Sequence, residues 1–183
     1  MNQVCVFLAD GFEEVEALTA VDLLRRARVY VDTVSITDDY KVHGAHGINV
    51  QTEDLFDEVD FNEFDMIVLP GGMPGTTNLA AHLGLETMIK TYNNRGKYIA
   101  AICAAPTIFG KMGLLKGKYA TCYPGMEDGL VDAIVKYEPV VIDENIITSR
   151  GVGTAIDFAL AIICELIDEE TANNLAKAIV YTI

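Results

Sequence analysis

Along this chain, apolar runs of strand length alternate with longer amphipathic stretches. Val4-Cys5-Val6-Phe7-Leu8 is unbroken and short, which suits a strand buried on both faces. From Glu13 to Ala27 the apolar positions recur at helical spacing. Tyr30 to Ser35 alternates at period two, and Met66 to Leu69 is another short buried run, ending at Pro70-Gly71-Gly72. Strand candidates separated by helices are the pattern of βαβ units.

The remaining segments fit the same scheme. Tyr40 to Thr52, with Gly44 and Gly47, predicts a small peripheral hairpin. A helix from Gly84 to Arg95 is stopped by Gly96, a strand covers Tyr98 to Ile102, and a helix runs from Pro106 to Met112 with Gly113 beyond its end. Lys118 to Cys122 is a further strand candidate. Val140 to Ser149 reads as two strands joined by a tight acidic turn, followed by helices from Thr154 to Ile167 and Glu170 to Tyr181. No repeat or linker divides the chain, so one domain over 1–183 is expected. Its architecture is α/β, a parallel-centred sheet with helices on both faces and a site at the strands' carboxyl ends.

Composition narrows the partners. The 183 residues are 51% hydrophobic, enough for a sizeable core, and carry a formal net charge of −14. The 13 basic residues form no cluster, so neither nucleic acid nor an anionic membrane surface is an expected partner. No stretch approaches the roughly 18 apolar residues of a membrane helix. The start, Met1-Asn2-Gln3-Val4, has no signal-peptide pattern, and the expected location is cytoplasmic. Cys5, Cys103, Cys122 and Cys164 are far apart in apolar surroundings, which suits reduced thiols better than disulfides or a zinc site.

Candidate chemistry centres on Cys103, where the strand Tyr98 to Ile102 turns abruptly into a helix. Backbone N–H groups and the dipole of that helix would lower the thiol pKa. Gly71-Gly72 ends a neighbouring strand. It makes a turn in any case, but beside the cysteine turn the N–H groups of Gly72 and Ala104 become candidates for an oxyanion hole. Glu16 lies on the inward stripe of its helix with Ala20, Leu23 or Leu24, and Ala27, where a lone carboxylate is costly and its pKa should rise. Glu13 and Glu14 are accounted for as first-turn charge. Cys5 and Cys164 read as core residues, and Cys122 as packing or a resolving thiol. His43, His46 and His82 lie away from the cysteine turn. Arg150, at a strand end, either binds an anion or is simply exposed.

Four motifs carry a resemblance over nearly the whole chain: Asp10-Gly11-Phe12-Glu13-Glu14-Val15-Glu16, Val68-Leu69-Pro70-Gly71-Gly72, Ala100 to Thr107 around Cys103, and Thr148 to Thr154. With them the chain resembles the ThiJ/PfpI superfamily, on the branch that contains the parkinsonism-associated protein deglycase. The resemblance implies a flavodoxin-like three-layer sandwich and a homodimer, with Cys103 at a nucleophile elbow, Glu16 hydrogen-bonded to it, and Gly72 and Ala104 as backbone donors. Gly71, Tyr123, His46 and Arg150 are further pocket candidates. No metal or other cofactor is implied.

Members are described as glutathione-independent glyoxalases, deglycases, oxidation sensors, redox-regulated chaperones and proteases. Glyoxalase-competent relatives often carry histidine at the place of Tyr123 and a pocket arginine at that of His46. Protease-like members have histidine where this chain has Ala104, which argues against peptidase chemistry. The expectation is therefore a cysteine-dependent glyoxalase or deglycase, a hydro-lyase or hydrolase, acting on a small aldehyde or dicarbonyl or its protein adducts in carbonyl or oxidative stress. The alternative is a redox sensor or chaperone in which Cys103 is oxidised to the sulfinate.

Overall fold

The computed structural model describes residues 2–182. The first half contains strands β1 (Gln3–Leu8), β2 (Tyr30–Ser35), β3 (Lys41–His43), β4 (Asn49–Gln51), β5 (Asp54–Leu55) and β6 (Met66–Leu69), with helices α1 (Glu14–Arg26), α2 (Gly75–Ala81) and α3 (Leu83–Asn94). The second half holds β7 (Tyr98–Ile102), α4 (Pro106–Lys111), β8 (Tyr119–Ala120), β9 (Ile134–Val135), β10 (Val140–Asp143), β11 (Ile146–Ser149), α5 (Ala155–Leu166) and α6 (Glu169–Ala178). Seven strands form one sheet in the order β10-β11-β7-β6-β1-β2-β5, parallel throughout except for β10 against β11. This is the expected flavodoxin-like α/β arrangement. β3 and β4 form the expected hairpin beside it.

Strand periodicity builds the three layers. Val4, Val6 and Leu8 of β1 join Met66, Val68, Ala100 and Ile102 in a core with α1, α5 and α6. The intervening Cys5 and Phe7 join Ile67, Leu69, Ile99 and Ala101 in a second core with α2, α3 and α4. Each central strand therefore reads as continuously apolar because both of its faces are covered. Phe7 is fully buried, and truncating such a side chain to alanine costs roughly 3–5 kcal/mol.

Several boundaries differ from the sequence expectation. The strand expected over 118–122 shrinks to β8, because the N–H of Thr121 turns to Thr148 Oγ1 at 3.0 Å. The last helix ends at Ala178, since Val180 takes φ 60° and the N–H of Tyr181 closes back on Ala176 at 2.9 Å. A short helical segment is expected around His82, and α2 places it just before that residue, which becomes its C-cap. Its Gly-Thr-Thr start favours no helix, and it forms with Leu79 anchored in the core.

Candidate active site

β7 ends at Ile102, and Cys103 adopts φ 65°, a left-handed conformation that costs a residue with a side chain about 1–3 kcal/mol. Two bonds hold it there. Its N–H donates to Ser149 O at 3.0 Å, and its carbonyl accepts the N–H of Tyr123 at 2.7 Å. The turn into α4 follows at once, so the N–H groups of Ala104 and Gly72 both point at Cys103 Sγ. The sulfur is half-buried.

Glu16 reaches the same point from α1. It is 1% exposed, on the core-facing stripe expected from its spacing. Oε2 accepts the N–H of Gly71 at 2.8 Å, and the carboxyl lies beside the Cys103 thiol: a Cβ on Gly71 would be 2.7 Å from Oε2 and 3.1 Å from Sγ. Oε1 has no hydrogen-bond partner among the described residues. Burial lifts the Glu16 pKa to about 7, against the lowering pull of the thiol and of the Gly71 N–H.

The thiol behaves differently from the sequence expectation. Burial, and then the negative charge of Glu16, push Cys103 up to about 12, and the donors from Ala104 and Gly72 only partly oppose this. The helix terminus alone therefore does not lower the thiol. Protonating Glu16 removes the repulsion and gives the sulfur another donor, so the thiolate and the protonated acid go together.

The two glycines are dictated by crowding. A Cβ on Gly71 would lie 2.6 Å from Cys103 Cβ and 2.7 Å from Glu16 Oε2. Gly72, at φ 92°, packs its α-carbon against the backbone of Gly11 to Glu13. Gly151 is a pocket residue that the sequence reading did not single out. A Cβ there would sit 3.8 Å from both Cys103 Sγ and Glu16 Oε1, and 3.4 Å from the ring of Tyr123. Tyr123 thus flanks the sulfur and is 50% exposed, placed to meet whatever enters.

Other candidates are engaged elsewhere. Arg150 donates to Tyr137 O at 3.0 Å and lies over the Tyr137 ring, so its side chain is committed there. His46 pairs with Glu14 at 2.9 Å and lies 3.4 Å from Glu13. Glu14 is not the surface charge its position implied. It is 3% exposed, and it accepts the His46 N–H at 2.7 Å and the Ile48 N–H at 3.3 Å. Burial raises its pKa, but these bonds prevail and take it down to about 2. No local signal could have revealed this, because the partners come from the hairpin.

Ligand atoms of Glu13, Glu14 and His46 lie within 4.8 Å of one another, yet the bonds to Glu14 make the trio a clamp between α1 and the hairpin. Cys122 is buried, and its thiol is pushed up to about 11 by burial and Glu127, which makes it a poor resolving thiol. Cys5 is a core residue and Cys164 is half-buried.

A family model described as the DJ-1/PfpI family matches residues 2–165. Protein DJ-1 homolog B of Arabidopsis thaliana is 39% identical over 96% of this chain and 40% of that protein. The chain thus spans less than half the length of that relative, and the same holds for Arabidopsis homolog A. A glutathione-independent glyoxalase DJ-1 from Schizosaccharomyces pombe is 30% identical over 98% of both chains. The solved structure of oxidized Toxoplasma gondii DJ-1 superposes with a TM-score of 0.96 at 35% identity, covering all of both chains.

Proposed function

The chain belongs to the DJ-1/PfpI family, and from that premise we propose that it converts small reactive dicarbonyls, or their adducts on proteins, to hydroxy acids without glutathione. The observation that carries this reading is the contact between Cys103 and Glu16, with the N–H groups of Gly72 and Ala104 turned to the same sulfur. Relatives of comparable length named as glutathione-independent glyoxalases support it.

With methylglyoxal, Cys103 adds to the aldehyde carbon: the S–C bond forms, and the thiol proton passes to the carbonyl oxygen, giving a hemithioacetal. Glu16, as carboxylate, takes the proton from that carbon and returns it to the adjacent one. The product is a lactoyl thioester, which water cleaves to lactate and the free thiol. A carboxyl near pKa 7 both accepts and returns a proton at neutral pH. The N–H groups of Gly72 and Ala104 steady the developing oxyanion. The sequence is redox-neutral.

The test is methylglyoxal consumption and lactate formation without glutathione, by wild type and Cys103→Ser. Equal rates for the two proteins would sink the proposal.

A second reading rests on Glu16 Oε1, which is buried without a hydrogen-bond partner among the described residues. In its protonated form the carboxyl donates to an oxidised sulfur, which supports sulfinate formation at Cys103 and a sensing or chaperone role. The oxidized state of the Toxoplasma relative accords with this. Intact mass after graded peroxide should show two added oxygens at Cys103; first oxidation at Cys164 would count against it.

We also infer a homodimer. Val15, Leu18 and Ile48 leave apolar surface around the first half of α1, and light scattering in solution tests the pairing. Four free cysteines suit a reducing, cytoplasmic setting. Among the described residues no helix is long and apolar enough to cross a membrane.

A further inference from the structure

A second group of carboxylates lies at the other end of the sheet, where Gln3, Tyr30 and Phe64 mark the amino ends or approaches of β1, β2 and β6. Asp32 on β2 is paired in register with Cys5, and Asp54 on β5 with Val34. Residues two apart on a strand share a face, so Asp32 and Asp54 are diagonal neighbours on the side that also carries Cys5 and Val34. Both line one cleft.

Asp32 is 4% exposed, and its Oδ1 is buried with no donor among the described residues. Beside the pair opens a cleft of about 300 Å³ whose lining includes Glu58, Asp60 and Glu63 and no lysine or arginine. The nearby Arg25 is held by Val31 O at 3.0 Å and Glu53 at 2.7 Å. Two neighbouring carboxyls, one buried without a donor, call for a positive charge beside them: a proton or a metal ion.

We propose that Asp32 and Asp54 bind a hard divalent cation of the Mg2+ or Mn2+ class at this cleft, with water completing its coordination. Such ions commonly take one or two carboxylates and keep several waters, and the cleft has room for those waters. The donor set argues against a softer ion. No histidine lines the cleft, and the neighbouring Cys5 is fully buried in the core and does not line it either.

The experiment is a titration of chelator-treated protein with Mn2+, reading the free-ion signal by electron paramagnetic resonance, with Mg2+ as competitor. One site per chain is expected, weakened at least tenfold by Asp32→Asn and by Asp54→Asn and unchanged by Glu14→Gln. An unchanged free-ion signal up to millimolar Mn2+ overturns the proposal. So does a site that survives in both aspartate variants, or one lost in Glu14→Gln, which would move the ion to the clamp on α1.

Discussion

Glu16 Oε2 accepts the N–H of Gly71 at 2.8 Å, and the same Gly71 leaves no space for a side chain between Glu16 and Cys103. The residue that aims the acid therefore also sets its closeness to the sulfur. Gly71→Ala should push the two groups apart, destabilise the fold by roughly 1–3 kcal/mol through overpacking, and lower dicarbonyl turnover. Gly151→Ala is the contrasting case. Its Cβ meets Cys103 Sγ and Glu16 Oε1 at 3.8 Å, ordinary contact distance, so it narrows the space beside the sulfur without wedging the pair apart, and its cost of about 1–3 kcal/mol is backbone strain, because φ 157° with ψ −163° is a conformation nearly confined to glycine. Melting curves and steady-state kinetics of both variants separate the two effects.

Glu16→Gln keeps an oxygen for the Gly71 N–H and removes the charge. Burial still holds the Cys103 thiol up, but the repulsion that helps bring it to about 12 disappears, so its titration moves to lower pH. Alkylation by iodoacetamide, followed against pH, should show this. Turnover should nevertheless fall on the order of 10²–10⁴, because no group remains to carry the proton between carbons. A more ionised sulfur with slower catalysis is the signature.

Stability should decline between about pH 4.5 and pH 7. The folded-state pKa of Glu16 is raised from 4.5 to about 7, so its contribution is fully present below the unfolded value and is lost as pH rises through 7. A rise of that size corresponds to roughly 3 kcal/mol. Urea midpoints at pH 5 and pH 8 should therefore differ more for wild type than for Glu16→Gln. Asp32, raised from 3.8 to about 7, acts with the same sign, and Asp32→Asn should flatten the profile further.

Glu14 has the opposite sign. Its carboxyl is lowered from 4.5 to about 2, so its contribution is present above 4.5 and is lost as pH falls toward 2. Glu14→Gln should cost about 1.5–3 kcal/mol, the usual range for hydrogen bonds to a charged group. It should also increase amide exchange in the hairpin. The His46 pKa, raised by the bond to Glu14, should drop in the same variant, and an NMR titration of the imidazole reads it directly.

The layered fold was legible because β1, β6 and β7 are short, apolar and bounded by glycine or proline, and because α1 and α5 carry continuous apolar stripes. The closeness of Cys103 and Glu16 was legible for a related reason, since each is an ionisable group at a position where burial can be read from the pattern. What escaped depends on long-range pairing. Glu14 looks like first-turn charge until the hairpin folds over it, Arg150 looks available until Tyr137 takes it, and Asp32 looks like a polar position in an alternating strand until Asp54 arrives beside it. The thiol pKa was misjudged because the donors around it were visible in the sequence, whereas the repulsion from Glu16 depends on how closely the two side chains approach.

Glu14 and Glu16 stand two residues apart at the start of one helix, the first clamped by the hairpin and the second set against the sulfur. The hairpin and the reactive centre thus share a single mounting. A change of length or sequence at Ala45 to Ile48, remote from the sulfur along the chain, would be felt as a small rotation of the acid. Surface-loop variation can therefore retune the reactivity of the cysteine while every residue that touches it stays the same.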